Sequence, residues 1–75
     1  MKTADEMFEE LEYDEKQDYG EVELYRDSKE CKYIQFDIYN KTICKINEYD
    51  NSDVLDVTIA ELQAINKKCQ ELGWI

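Results

Sequence analysis

The sequence contains no histidine and no proline, and only two glycines among its 75 residues. Without histidine, the chain lacks the side chain that most often acts as a general base near neutral pH or binds a metal ion. Gly20 and Gly73 stand far apart, which excludes the glycine-rich loops that hold phosphate groups. These absences predict a protein that is not an enzyme and has no catalytic residues, no metal site and no cofactor.

Cysteine is sparse and irregularly spaced. Cys31, Cys44 and Cys69 are odd in number and form no C-x-x-C pair. This spacing is typical neither of a disulfide framework nor of a zinc site. We interpret the three cysteines as reduced thiols that serve as small apolar side chains.

Long hydrophobic runs are also missing. No stretch approaches the roughly 20 apolar residues that a membrane-spanning helix needs. The acidic start, MKTADEMFEE, does not have the pattern of a secretion signal. We therefore expect a cytoplasmic protein that makes no membrane contact, and the length predicts one small domain over residues 1–75.

Acidic residues dominate the charge. Nineteen acids and nine bases give a net charge of −10, and residues 1–30 hold twelve of the acids but four of the bases. Nucleic acid binds through clustered lysine and arginine, so direct nucleic-acid binding is not expected. A partner protein with a basic surface is electrostatically favoured.

Two capping boxes mark the starts of two helices. Thr3 with Glu6, and Thr58 with Glu61, have the spacing at which each side chain bonds the other residue's backbone amide. The first box predicts a short helix over residues 4–12. The second begins a longer helix that ends at Gly73, with Trp74 folding back on the last turn. Apolar stripes at helical spacing support both helices; they consist of Ala4, Met7, Phe8 and Leu11 in the first helix, and Ile59, Leu62, Ile65, Cys69 and Leu72 in the second.

Alternating apolar and polar residues predict strands between the helices. Residues 22–25 and 31–39 alternate clearly, a third strand follows Thr42, and residues 54–57 form a short strand or an extended lead-in. Residues 13–21 are interpreted as a loop. The predicted fold is α+β: a short N-terminal helix, a three- to four-stranded antiparallel meander, and a C-terminal amphipathic helix packed on one sheet face. That face is predicted to contain Val22, Leu24, Ile34, Phe36, Ile38 and Ile43.

The register of the third strand stays open at this point. A two-residue turn at Asn40 and Lys41 would pair Ile38 with Ile43. Another register would bury Cys44 and Ile46 instead, because a shift of one residue exchanges the two faces of a strand.

Two groups of residues are candidates for protein contacts. Tyr25, Tyr33 and Tyr39 are predicted to share the uncovered sheet face, where they would support homodimerisation or docking of another protein, or would form cross-strand aromatic pairs. Glu9 and Glu10 lie on the acidic first helix. That helix would serve either as a mimic of nucleic acid that inhibits a host DNA-binding protein, or as a solvated face that keeps the protein soluble.

The two ends of the chain carry a resemblance. T-A-D-E-M-F-E-E-L-E-Y at residues 3–13 and T-I-A-E-L-Q-A-I-N-K-K-C-Q-E-L-G-W-I at residues 58–75 resemble small uncharacterised acidic proteins of Gram-positive bacteria and their prophages. The resemblance covers less than half of the chain and implies a phage or mobile-element context with an α-β-α layout. In that group a glycine often follows F-E-E-L, where this sequence has Glu12, so the end of the first helix is expected to differ.

Overall fold

The structure is a computed structural model that describes residues 2–49 and 56–75. Within these residues two helices flank four strands in the order α1, β1, β2, β3, β4, α2, which confirms the predicted α+β architecture. Strand β1 lies within residues 13–21, where a loop was predicted, and Val54 and Leu55 of the predicted segment 54–57 lie outside the described residues. The element bounds are α1 Ala4–Glu10, β1 Glu15–Asp18, β2 Val22–Asp27, β3 Lys32–Asp37, β4 Thr42–Asn47 and α2 Ile59–Glu71.

The four strands form one antiparallel meander in sequence order. In the last hairpin Phe36 pairs with Ile43. Neither of the two registers left open by the sequence is formed: Ile38 does not pair with Ile43, and Cys44 and Ile46 lie on the face opposite Phe36. The connecting loop has four residues because the Asp37 carboxylate accepts a hydrogen bond from the Asn40 backbone amide, at 2.9 Å, and Lys41 adopts a φ of 55°. The observed register differs by two residues from that of a two-residue turn, so Ile43 still shares a face with Phe36.

Both helices begin and end with recognisable capping motifs. The Thr3 hydroxyl accepts from the Glu6 amide at 3.2 Å, and a capping box of the same type is formed at the start of α2. At the end of α2, the Trp74 amide donates to the Cys69 carbonyl at 2.9 Å, as the C-terminal glycine predicted. None of the helices in the described part of the chain is long and apolar enough to cross a membrane.

The end of α1 repeats this arrangement without glycine. The Glu12 amide donates to Glu9, and the Tyr13 amide donates to Phe8, each at 3.0 Å. This is the pattern of a Schellman motif, in which the residue after the cap takes a left-handed conformation. Glu12 occupies that position with a φ of 69°, and α1 therefore ends before the predicted residue 12.

The core lies between the two helices and one face of the sheet. Phe8 of α1 stacks on Tyr25 of β2, with ring centroids 4.0 Å apart, and meets Phe36 edge-on at 6.2 Å. Ile34 completes the strand side, and Ile65 of α2 packs against the same cluster. Dispersion and burial of this aromatic group hold the helices on the sheet.

Two predictions about burial are wrong. Tyr25 is 2% exposed on the helix-covered face, whereas Val22 and Leu24 lie on the opposite face of β2. The reversal arises because a large ring fills the core better than two smaller side chains, and because the Tyr25 hydroxyl donates to Asp5. On α2, Ile59 is 71% exposed and Leu62 52% exposed, although both belong to the predicted buried stripe.

Candidate interaction surface

The sheet face turned away from the helices contains a group of apolar side chains. Strand pairing places Leu24, Gln35 and Cys44 side by side in one row, and Arg26, Tyr33 and Ile46 in the next. No element in the described part of the chain packs over these rows, and none of their apolar members belongs to the core cluster. We call the apolar residues on this side the open face: Val22, Leu24, Tyr33, Cys44 and Ile46.

Carboxylates surround the open face. The Arg26 guanidinium lies between Glu48 and Glu15, with an N–O distance of 2.6 Å to each. The hydrogen bonds to Glu48 and then to Glu15 hold the pKa of Arg26 above its usual range. Asp37 lies at the other end of the face, beside Val22. The one arginine on this side is therefore neutralised, and the rim of the open face is acidic.

The three predicted tyrosines do not form one surface. Tyr33 lies on the open face, where it was predicted, and pairs with Ile46. Tyr39 lies in the β3–β4 loop and is 83% exposed. Tyr25 is in the core, so its proposed role in an exposed surface is wrong.

Sequence reasoning missed Val22, Leu24 and Ile46 as members of the open face, where all three are half-buried. A signal was present in α2, where Lys68 follows Glu61, Ala64 and Ile65 at helical spacing and so lies on the buried side. A buried lysine requires an acidic partner on the opposing strand. The acids of β2 are odd-numbered, so this requirement indicates that the odd-numbered residues of β2 face the helix.

Two charged pairs lie between α2 and the sheet. Lys68 contacts Glu23 at 3.0 Å, and Lys45 contacts Glu61 at 2.9 Å. Burial raises the pKa of Glu61, but hydrogen bonds from the Thr58 backbone, the Tyr13 hydroxyl and Lys45 outweigh burial and lower the pKa to about 2. In the described residues, no buried side-chain polar atom lacks a hydrogen-bond partner. These groups are therefore engaged in holding the helix to the sheet.

A cleft with a volume of about 310 Å³ lies between α1 and β1. Glu9 is one of its lining residues, whereas Glu10 lies outside it and bonds Lys2 at 2.6 Å. Lys16 also lines the cleft and bonds Asp5 at 3.2 Å, which neutralises part of the charge. Five carboxylates, two tyrosines and one lysine form the lining: Asp5, Glu9, Glu12, Tyr13, Asp14, Glu15, Lys16 and Tyr25.

The cysteines are free thiols in three different environments. Cys69 is buried, Cys31 is half-buried, and Cys44 is exposed on the open face. Within residues 2–49 and 56–75, no group of three or more acidic or cysteine side chains is arranged to hold a metal ion. Comparisons with protein-family models, curated proteins and solved structures find no match to this chain.

Proposed function

We propose that this protein is a non-enzymatic, cytoplasmic interaction module that binds another protein through its open face. The observation that supports the proposal most strongly is the apolar group formed by Val22, Leu24, Tyr33 and Ile46 on the sheet side that the helices leave uncovered. These four side chains are half-buried, and contiguous apolar residues at a surface with a polar rim are typical of protein-binding sites. Tyr33 adds a rigid ring that can bury a large area at a low cost in conformational entropy.

The charges around the open face indicate what kind of protein surface it can bind. Glu15, Asp37 and Glu48 stand at its rim, and the chain as a whole carries a net charge of −10. A partner with an apolar centre and a basic rim matches this arrangement, because opposite potentials favour docking and speed encounter. A second copy would set one acidic rim against another, so the open face is better suited to a different protein than to self-association.

Variants of the open face test this proposal. A partner is captured from a lysate, purified, and titrated against wild type, Tyr33→Ala and Leu24→Asp by calorimetry. We expect dissociation constants at least about 10-fold weaker for both variants, because each removes or disrupts a central apolar contact. Tyr39→Ala is the matched control, since Tyr39 is an exposed tyrosine of the β3–β4 loop that does not belong to the open face.

The same titrations at increasing salt test the charge argument. Binding to a basic rim weakens as the salt concentration rises, because the exposed charges are screened. A partner that binds both open-face variants as tightly as it binds wild type would contradict the proposal. Turnover of a small molecule by the purified protein would contradict the non-enzymatic assignment.

The acidic cleft supports a second candidate function, that of a nucleic-acid mimic that inhibits a DNA-binding protein. Glu9, Glu12, Asp14 and Glu15 present several carboxylates along one cleft, as phosphates are presented along a groove. The test is the double variant in which Glu9 and Glu10 are replaced by lysine. The mimic predicts that binding to the DNA-binding protein is lost, whereas binding through the open face predicts a small change.

The control for charge alone replaces Glu21 and Glu30, which are both exposed and do not line the cleft, by lysine. An equal loss of binding in this control would indicate a response to net charge rather than a mimic surface.

A further inference from the structure

The outer edge of strand β4 and the start of α2 present a second surface that no residue in the described part of the chain covers. Within residues 2–49 and 56–75, β4 is the last strand of the sheet, and its neighbour β3 occupies one side of it. The Glu48 amide donates a hydrogen bond to the carbonyl of Cys31, the residue before β3, at 2.8 Å. Because backbone groups alternate in direction along an antiparallel strand, Ile43, Lys45 and Asn47 point their amides and carbonyls outward. No described residue accepts or donates a backbone hydrogen bond there.

The outer side of α2 extends this strand edge. The Lys45 ammonium bonds the Asp56 carbonyl at 2.6 Å and Glu61 at 2.9 Å, which places the beginning of α2 over β4. Glu71 accepts a hydrogen bond from the Ala4 amide, at 2.8 Å, and therefore marks the side of α2 that faces α1. Leu62 precedes Glu71 by nine residues, which is half a rotation about the helix axis. Leu62 thus lies on the side away from α1, towards the free edge of β4.

Exposed apolar residues gather on this side. Leu62 and Ile59, three residues apart on α2, are 52% and 71% exposed; Val57 is 46% exposed and Ile43 of β4 is 38% exposed. We call these four residues the apolar strip. Together with the unpaired backbone of β4, they form a surface that combines strand pairing with hydrophobic contact, and such edges readily pair with another strand.

The two edges of the sheet differ in charge, and this difference indicates which molecule binds at the β4 edge. β1 has the sequence EKQD and follows Asp14, so a strand from a second copy would meet acids there. Residues 38–47, which include β4, contain two lysines and no acid, although the chain carries nineteen acids. The β4 edge is therefore a place where two copies can meet without setting acid against acid.

We propose that a second copy of this chain pairs with β4 antiparallel, about a two-fold axis at Cys44, and that the two apolar strips pack against each other. In this register Ile43 exchanges backbone hydrogen bonds with Lys45 of the second copy, so the outward groups of both strands are satisfied. Cys44 then faces Cys44 of the second copy in a pair without hydrogen bonds. The two sheets become one sheet of eight strands. This surface shares only Cys44 with the open face, and the variants Leu62→Asp and Tyr33→Ala each change one surface alone, so either proposal can fail without the other.

Analytical ultracentrifugation over a protein concentration series tests the dimer. We expect wild type to dimerise, and Leu62→Asp to raise the dissociation constant at least about 10-fold, because it adds a negative charge to each of the two apolar strips that pack together. Ile75→Asp is the matched control, since Ile75 is 72% exposed but lies outside the apolar strip. Raising the salt from about 0.05 M to about 0.5 M should tighten the dimer by screening the net charge of each copy, which is opposite to the effect expected for a basic partner.

Oxidation with diamide tests the register. Two Cys44 thiols would form one disulfide bond, and diamide would take up the two electrons and two protons. Directly opposed residues in such a pair have Cα atoms about 4.5 Å apart, within the range that a disulfide spans. We expect a covalent dimer from wild type and from Cys31→Ser, and none from Cys44→Ser.

Several results would overturn the proposal. A monomer at all salt concentrations up to about 1 mM protein would do so, because no useful affinity would remain. So would a dimer that Tyr33→Ala disrupts and Leu62→Asp does not, since the open face would then be the contact. An extended peptide from another protein that pairs with β4 while the chain itself stays monomeric would replace the second copy as the occupant.

Discussion

Replacing Glu61 by glutamine removes a negative charge from the junction between α2 and the sheet while keeping an oxygen that can accept hydrogen bonds. Glu61 is 3% exposed and bonds Lys45, whose side chain is 9% exposed. A pKa lowered from 4.5 to about 2 corresponds to about 3 kcal/mol of stability from the ionised carboxylate. We expect Glu61→Gln to lose about that much at pH 7, because the Lys45 ammonium stays buried without its counter-charge.

The effect should depend on pH in a defined direction. Because the folded pKa of Glu61 lies below the unfolded value, its contribution is present above pH 4.5 and is lost as the pH falls towards 2. Urea unfolding followed by circular dichroism, at pH 7 and in steps down to about pH 2, measures the difference between wild type and Glu61→Gln. That difference should shrink across this window.

Glu10→Gln is the matched control for this experiment. Glu10 bonds Lys2, but both side chains are more than half exposed, so less than about 1 kcal/mol should be lost. The reasoning is refuted if Glu61→Gln costs no more than this control at pH 7, or if its cost is the same at pH 7 and near pH 2.

Three other changes have expected outcomes. Glu12→Gly should stabilise the protein by about 0.5–1 kcal/mol in urea unfolding, because glycine adopts the φ of 69° without strain; Glu12→Ala, which removes the charge but keeps the strained Cβ, should not. Lys41→Gly should raise the melting temperature for the same reason, and no rise would argue against strain at its φ of 55°. Tyr25→Ala should cost about 3–5 kcal/mol or prevent folding, whereas Tyr33→Ala should cost less than about 1 kcal/mol in the same assay; equal costs would contradict the assignment of the two faces.

The helices were predictable because their signals are local. A capping box needs four neighbouring residues, and Thr3 with Glu6 and Thr58 with Glu61 both form the predicted contacts. Gly73 likewise ends α2 with a φ of 76°. These motifs are satisfied within one turn, so tertiary packing does not alter them.

The sheet faces were less predictable because buried polar contacts reverse the usual hydrophobic pattern. On β2 the inward positions are occupied by Glu23, Tyr25 and Asp27, and each carries a polar group with a specific partner. Glu23 bonds Lys68 and Tyr25 bonds Asp5. Both partners are distant in sequence, so the alternation of apolar and polar residues alone assigned β2 the wrong buried face. β1 was missed because EKQD contains no apolar residue on either face.

The candidate surfaces were predicted in part. Tyr33 was correctly placed on the uncovered side, and the acids at Glu9 and Glu10 are exposed as expected from helical spacing. Ile59 and Leu62 were predicted to be buried because their spacing fits an apolar stripe. A stripe shows which residues share a side of the helix, but it does not show how far the sheet extends beneath that side, and β4 is the last strand.

The hydrogen bond between Ala4 and Glu71 joins the two helices across 67 positions of the chain. The hairpins of the meander can close without α2, since each strand pairs with its neighbour in sequence. Without Ile65 of α2, α1 alone covers the side of the sheet that contains Ile34 and Phe36. A chain truncated before Ile59 therefore leaves part of an apolar sheet face exposed and should be prone to aggregation.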